Sequence, residues 1–519
     1  MTAAQAAELI HDGDTVGLMG GGGGLMEASH MFEAIEHRFL STQQPRNLTL
    51  MHALGIGDKN TKGLNCFAHE GLVKRVIGGH WVWSPAMQQL ALSEKIEAYI
   101  LPGGVSSQLM REIGAGRPGL FTHVGLGTVC DPRLGGGKMN ASAKEDLSEV
   151  VVMDGREYLR YKPFPIHVAI VRASAADEDG NISFEHEAAN LDAQALALAA
   201  RNSNGKVIVQ VKDRLPKGSL KAREVRIPAA WVDAIVVDAN QKTSYDIAFD
   251  PALSGELFDT ARTQSEAIDH ANEVSTSKEE FSERQAIARR AYTELFNTKK
   301  LRPVINYGVG VPDAVAKLIA ARNEQSRIYQ TIEHGTYGGT LLDGVLFGYA
   351  RNATAMLDAP TQFDFYSGGG LDIAFLGFGE FDKDGNVNVS KLGGLTVGPG
   401  GFIDIAQNAR KVVFCGTFAA KGVKLATGDG KMQVVEQGKV QKLVSKVEQI
   451  TFSGPQSLVR EQEVLYLTER ASFRLTKDGV ELFELAPGID LQRDVLEQMH
   501  FTPLLSREIV LIDSSCFSR

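Results

Sequence analysis

The chain has 519 residues, 43% hydrophobic and 23% charged, with a formal net charge of −9. That is the composition of a water-soluble globular protein of roughly two to four domains. The acidic balance argues against a nucleic-acid partner, which would leave a basic footprint, but it leaves room for a small anionic ligand bound at a local site. The four cysteines, Cys66, Cys130, Cys415 and Cys516, lie too far apart for metal-ligand or redox spacing, so they read as reduced thiols of a cytosolic protein. The opening stretch "MTAAQAAELIHDGDTV" has no apolar signal core, and no run reaches membrane-spanning length. The expected location is the cytoplasm, with no membrane partner.

In chain order, the first predicted unit is "DTVGLMGGGGGLMEASHMFEAIEHRF", a strand, a glycine loop and a helix. Such a loop can bring backbone N–H groups to an anion at a helix start. The dinucleotide fingerprint Gly-x-Gly-x-x-Gly fails here at Leu25, and the phosphate-loop pattern fails at "GGGKMN", where Met139 follows Lys138. A tight turn without a ligand remains an equal reading of the glycine run. Next, "IHVAIVRASA" leads into the turn "ADEDGNISF", a helical segment and the strand "KVIVQV" from Lys206. The same order returns later as "LDIAFLGFGE", "FDKDGNVNV" and "KVVFCG" from Lys411. Gly180 to Gly385 and Lys206 to Lys411 are both offsets of 205 residues. Continuous Val/Ile runs alternating with helices predict strands buried on both faces, and so largely parallel sheets. The expectation is an α/β protein of two related open domains with Gly-rich strand–helix loops, spanning residues 1–240 and 278–519, the latter carrying the candidate catalytic glutamate. A polar stretch over 241–277 reads as a linker, followed by an amphipathic helix in "FSERQAIARRAYTELF". In the second domain "RPVINYGVGVPDAVAKLIAAR" repeats the strand–glycine loop–helix unit, and its fingerprint fails at Asp313. Near the end, "KMQVVEQGKVQKLVSKVEQITF" alternates like antiparallel strands around Gly438, a small sheet appended to the second domain.

The chemistry narrows by elimination. A hydrolase nucleophile elbow, Gly-x-Ser-x-Gly, is absent. The 12 histidines are scattered, and no metal site is expected. The stretch "TIEHGTYGGT" sets Glu333 beside His334 and among Gly335, Gly338 and Gly339. A glutamate is ionised at neutral pH and can attack an activated acyl group without a general base, provided donors await the tetrahedral oxyanion. The loop "TVGPGGFIDI", with Gly400 and Gly401 before a helix, can offer such donors. The residues alone also allow the bland alternatives: Glu333 as half of an ion pair or a helix cap, and His334 as a loop histidine making one backbone hydrogen bond.

Taken together, "REIGAGRPGLFTHVGLGTVCDPR", "INYGVGVP", "TQFDFYSGGGLDIAFLGFGEFDKDGNVNVSKLGG", "GPGGFIDIAQNARKVVFCGTF" and "LAPGIDLQRDVLEQM" resemble the family I CoA-transferases of the long, fused two-domain type, nearly end to end. Within that family the resemblance is to the propionate/acetate and acetoacetate CoA-transferases. It implies that Glu333 is the nucleophile of a ping-pong reaction, moving CoA from a short-chain acyl-CoA (acetyl-, propionyl-, butyryl- or acetoacetyl-CoA) to a free carboxylic acid such as acetate through a γ-glutamyl-CoA thioester. It also implies that Gly400 and Gly401 make the oxyanion contact. Gly308, Val309, Gly310 and Val311, with Gly401, lie against CoA, Lys421 contacts it, and Asn388 sits near the pantetheine. No tightly bound cofactor and no metal are implied, CoA being substrate and covalent intermediate. The family forms dimers or tetramers. The chain departs from the family in two places. It has His334, Thr336 and Tyr337 beside the nucleophile, where relatives read Glu-x-Gly-Pro-Ile-Gly-Gly, and Pro102-Gly103-Gly104 where relatives read Pro-Gln-Gly. The alternatives are an acyl-CoA hydrolase on the same scaffold and a non-catalytic CoA- or metabolite-binding protein.

Overall fold

The computed structural model describes residues 1–259 and 282–518. Its internal contacts divide the chain into two compact units. The first comprises Met1–Phe258, Ile332–Phe365 and Gly393–Asp404, and the second Asp259–Thr331, Tyr366–Leu392 and Ile405–Arg519. Of the stretch expected as a linker, residues 260–277 lie outside the described residues.

Unit one is built on a nine-stranded sheet. Its strands are β1 (Thr15–Leu18), β2 (Leu48–His52), β3 (Val73–Gly78), β4 (Glu97–Tyr99), β5 (Val168–Asp177), β6 (Ile182–Ser183), β7 (Lys206–Leu215), β8 (Val225–Ile227) and β9 (Ala234–Val237). The order β4-β3-β2-β1-β5-β7-β9 is parallel throughout, and β6 and β8 add antiparallel pairs beside the end of β5. β5 lies at the centre, so all ten of its residues are buried, which is why its sequence is a continuous apolar and small-residue run rather than an alternating one. The helices α1 (Gly103–Gly114) and α2 (Ala193–Asn202) pack on one another. Gly17 of β1 leaves the space that Leu196 of α2 fills, since a Cβ there would stand 2.4 Å from Leu196 Cδ1.

The glycine run after β1 is packed by the protein's own groups. Cβ atoms at Gly22, Gly23 and Gly24 would lie 2.2 Å from the Trp83 ring, 2.1 Å from the Val345 carbonyl and 2.8 Å from the Tyr245 backbone. The N–H groups of Gly21 and Gly23 donate to Leu25 O and Gly57 O, which fits the tight-turn reading. Below it sits Glu27, fully buried, accepting from Gly57 N–H at 2.9 Å and from the Tyr245 hydroxyl. Burial pushes its carboxyl up to about 8 against those two donors and Arg172. A carboxyl whose folded pKa lies above its unfolded one binds protons more tightly when folded, so stability falls as pH rises from about 4.5 to about 8. Glu27→Gln, which can still accept from Gly57 and can donate to Tyr245, is therefore expected to gain on wild type across that window, by an amount on the order of 4 kcal/mol at its upper end. Urea midpoints at pH 5 and pH 8.5 read this directly: the gap between variant and wild type widens at the higher pH.

Unit two carries β10 (Val304–Tyr307), β11 (Tyr329–Thr331), β12 (Ile373–Gly377), β13 (Lys411–Cys415), β14 (Glu463–Leu467), β15 (Ala471–Thr476), β16 (Gly479–Leu485) and β17 (Leu504–Leu511). They are ordered β11-β10-β12-β13-β14-β15-β16-β17. β11 to β14 are parallel, β14-β15-β16 antiparallel, and β17 parallel to β16. The helix α3 (Val311–Ala321) follows the Gly308 loop. The internal repeat is structural. In unit one β5 sits between β1 and β7, and in unit two β12 sits between β10 and β13, with Lys206 and Lys411 each opening the third strand. Both turns are closed in the same way: Asp177 accepts from Asn181 N–H and its amide, and Asp382 accepts from those of Asn386. Gly180 and Gly385 supply the positive φ.

One expectation is corrected. The strands flanking Gly438 do not pair with one another. Lys431–Glu436 pairs with Lys424–Gly428, and Val440–Gln441 pairs with Ala419–Ala420. The reason is the two-residue turn Asp429-Gly430, where both residues have positive φ, 53° and 72°. That backbone matches the twist of a tight hairpin and sets the pairing upstream. Among the described residues no helix is long and apolar enough to cross a membrane, and no cluster of three His, Cys, Asp or Glu is placed to hold a metal ion.

Candidate active site

The Glu333 loop belongs to unit one. Ile332 N–H donates to Thr336 O at 2.8 Å and Gly335 N–H to Ile332 O at 3.0 Å, folding the loop on itself. Beyond it Thr336 pairs with Met356 and Tyr337 with Ala355 in an antiparallel ribbon. Gly335 has φ 116°, and a Cβ there would stand 2.1 Å from the Leu357 carbonyl, whose own N–H donates to Gly335 O. No other residue fits. Gly335→Ala is expected to destabilise the protein by about 2–4 kcal/mol, through strain at positive φ and the clash with backbone, read as a shift in the denaturation midpoint.

Glu333 is half-buried. None of the hydrogen bonds or ion pairs among the described residues engages its carboxylate, and its charge is felt by His334 and Asp404. His334 is buried, and its Nε2 donates to Gly348 O at 2.7 Å, the single backbone bond of the bland reading. That bond leaves Nδ1 as a lone-pair acceptor without a partner. Burial lowers the imidazole pKa against the pull of Glu333, so the ring is neutral and is no proton donor at neutral pH.

The Gly400 loop is held by unit one's own backbone. Gly103 N–H donates to Gly400 O at 2.7 Å, and Gly400 N–H donates to Gly79 O at 2.7 Å. Of the two glycines expected to make an oxyanion contact, Gly400 thus has its N–H already engaged, whereas that of Gly401 has no partner among the described residues. Gly401 leads into α5, preceded in the chain by α4: α4 is Ala359–Phe365 and α5 is Phe402–Asn408. Asp404, in the first turn of α5, was not singled out by the sequence reading. Its carboxylate accepts from Gly104 N–H at 3.0 Å and Val105 N–H at 3.1 Å. These are two of the donors that the first turn of α1 leaves without helical partners. Burial pushes Asp404 up to about 7, against those two N–H groups, with the Glu333 charge adding to the rise. Gly104 is glycine because a Cβ would meet Phe363 of α4 at 2.4 Å and Asp404 Oδ1 at 2.5 Å. A Cβ at Gly103 would stand 3.1 Å from Ala53 O and 3.2 Å from Gly400. The α1 terminus, the segment bearing Glu333 and α4, and the Gly400 loop therefore meet in unit one. Gln108 at 2.8 Å and Arg111 of α1 bind Asp364 of α4 and close the same group.

The other expected positions belong to unit two. In the Gly308–Val311 loop, Gly308 N–H donates to Phe375 O and Gly310 N–H to Asp313 Oδ2 at 3.0 Å, while Val309 is exposed. The α3 terminus is thus capped by its own acid. Asn388 is buried, and its amide is engaged internally: it donates to Glu380 and Lys391 O and accepts from the N–H groups of Ser390 and Lys391. Lys421 is exposed at φ 59°, with its carbonyl accepting from Lys439 N–H.

Comparison with known proteins is consistent along the whole chain. Residues 1–238 match the coenzyme A transferase family model. Acetate CoA-transferase YdiF of Escherichia coli O157:H7 is 40% identical over 518 residues, covering 100% of this chain and 94% of that protein. Caffeate CoA-transferase of Acetobacterium woodii is 42% identical over 527 residues, covering 100% and 97%. The crystal structure of acyl-CoA transferase YdiF from E. coli O157:H7, a thioester complex with CoA, superimposes with a TM-score of 0.91 at 39% identity, covering 100% of this chain and 95% of that one. The chain belongs to the coenzyme A transferase family. It is a CoA-transferase of the fused family I type, an α/β enzyme with large parallel sheets.

Proposed function

We propose that Glu333 is the nucleophile and that the enzyme carries CoA from a short-chain acyl-CoA to a free carboxylic acid through a γ-glutamyl-CoA thioester. The observation that carries this reading is the Glu333 carboxylate, held in a glycine-walled loop with no hydrogen-bond or ion-pair partner among the described residues. A Glu333 oxygen attacks the thioester carbonyl, the C–S bond breaks, and a mixed anhydride and CoA thiolate result. The thiolate then attacks the Glu333 side-chain carbonyl carbon and releases the donor acid as carboxylate. The acceptor carboxylate attacks the glutamyl thioester and frees CoA thiolate. That thiolate takes the new acyl group from the anhydride and restores the Glu333 carboxylate. Charge is conserved at each step and no proton is required. Gly401 N–H is the oxyanion donor, Gly400 its fixed neighbour. Such a donor, immobile before reaction, stabilises developing charge without reorganisation.

In the same reading Gly308, Val309, Gly310 and Val311 receive CoA, and Lys421 contacts it. Asn388 acts through the turn it holds near the pantetheine. Remote contacts along CoA then supply binding energy realised at the thioester. The donors are acetyl-, propionyl-, butyryl- or acetoacetyl-CoA, with CoA as substrate and no tightly bound cofactor. The resemblance to fused relatives supports domains at 1–240 and 278–519 joined through 241–277, a cytoplasmic location and a homodimer or homotetramer. The reading is tested by following free thiol with acyl-CoA in the presence and absence of acetate. Transfer gives no net thiol and parallel double-reciprocal lines. Steady thiol release without any acceptor acid would instead mark a hydrolase.

A further inference from the structure

The reaction above needs no proton, and it leaves one nucleophilic group of unit two unused, the amine of Lys442. Lys442 is half-buried, between the short strands Val440–Gln441 and Leu443–Val444, and its carbonyl accepts from Phe381 N–H at 2.9 Å. Its Nζ lies 4.2 Å from the centre of the Phe378 ring, and no hydrogen bond or ion pair among the described residues engages it. Glu469 is the carboxylate whose charge reaches it, but that group already accepts from Phe418 N–H at 2.8 Å and from Arg470 at 3.2 Å. An aromatic face attracts a cation yet accepts no full hydrogen bond, so it replaces little of the lost hydration. Burial accordingly lowers the amine to about 8, Glu469 working against the fall and Arg284 with it. Lys411, buried in the same unit, is by contrast bonded to Glu294 and Glu463.

Phe378 directly follows β12, and a Cβ at Gly416, directly after β13, would stand 2.7 Å from its ring. A Cβ at Gly377 would stand 3.5 Å from Val309 O. Lys442 therefore sits by the carboxyl ends of β12 and β13, on the edge of the sheet that carries the Gly308–Val311 loop after β10. Open parallel sheets receive ligands at that edge. Resting on the proposed seat of CoA at that loop, we propose that Lys442 is a modification site, N-acylated by the short-chain acyl-CoA that the enzyme handles. The neutral amine attacks the thioester carbonyl carbon, a C–N bond forms and the C–S bond breaks. CoA leaves as thiolate and takes up the proton that the nitrogen releases, so the products are an amide and free CoA thiol. An unperturbed lysine near 10.4 is about 0.1% neutral amine at pH 7.5, whereas one at about 8 is about a quarter neutral, and weaker basicity returns only part of that gain.

The test incubates wild type with acetyl-CoA at about pH 7.5 without acceptor acid. Hydroxylamine then strips acyl groups held as esters, thioesters or anhydrides and spares amides, and mass spectrometry follows acetyl-lysine with time. Lys442 is expected to acetylate at least about 10-fold faster than exposed Lys477, a ratio that falls to about 1 in guanidinium-unfolded protein. Its rate levels off above about pH 8. A native Lys442 no faster than Lys477 overturns the proposal. So does loss of the Lys442 label in Glu333→Gln, since the acyl group then comes from Glu333 and not directly from acyl-CoA. Desulfo-CoA, which has no thiol, is expected to slow Lys442 and leave Lys477 unchanged. The same incubation with S-acetyl-N-acetylcysteamine, a thioester without the nucleotide, separates the proposal from the reading beneath it. Preference for Lys442 with both donors, unslowed by desulfo-CoA, keeps the acylation and removes the seat of CoA at Gly308–Val311.

Discussion

Glu333→Gln is expected to lower kcat for CoA transfer by at least about 10^4-fold, with the fold and the melting temperature little changed. The amide keeps the size of the side chain but has no anionic oxygen to attack the thioester. No hydrogen bond or ion pair among the described residues engages the carboxylate, so little of the fold's stability depends on it. Glu333→Asp is the sharper variant. It retains the charge but shortens the arm by one methylene, moving the attacking oxygen by about 1 Å, and a misplacement of that size costs on the order of 10^2-fold or more. Rapid-quench measurement of donor-acid release from acyl-CoA, before acceptor is added, reads both effects in the first half-reaction. Activity of the aspartate variant within twofold of wild type would show that another group attacks.

The second large effect is expected at Asp404, whose carboxylate holds the first turn of α1. It is a positioning residue. Its two oxygens take the Gly104 and Val105 N–H groups, fixing the start of α1 against the Gly400 loop, where Gly103 N–H meets Gly400 O. Asp404→Asn places an NH2 group where one of those N–H donors points, so one pair of donors faces each other unsatisfied, a loss of about 1–3 kcal/mol. The loop bearing Gly401 then shifts relative to Glu333. The expected result is a kcat lower by about 10^2-fold with the KM for acyl-CoA changed less than threefold, since the residue orders the reacting groups and not the bound CoA. A change confined to KM, or to thermal stability with kcat intact, would contradict this role.

These two residues also mark how far the sequence could be read. The Glu333 loop was legible because a carboxylate followed by glycines at three of the next six positions is hard to explain by packing, and each of those glycines has positive φ. The repeat was legible because Asp-Gly-Asn turns and Lys-led strands recur at one spacing, and both halves close the turn with the same side-chain bonds. Asp404 was not legible, because the N–H groups it accepts lie 300 residues away in the chain. The engagement of Gly400 N–H by Gly79, and of the Asn388 amide by its own turn, were hidden for the same reason: sequence shows which groups are available, not which are already bonded. The hairpin at Asp429-Gly430 carried a local signal, an Asp-Gly pair between alternating strands, and the longer alternation downstream drew the turn to Gly438 instead.

The central claim is that CoA passes through a covalent bond to Glu333. The most direct measurement is to incubate the protein with acyl-CoA and no acceptor acid, trap the product with borohydride or hydroxylamine, and map the modified peptide by mass spectrometry. One modified side chain is expected, Glu333, within the peptide containing Thr331–Thr340, and it is lost in Glu333→Gln. An unmodified Glu333 in protein that exchanges CoA at its full rate, or a modification at another residue, would contradict it.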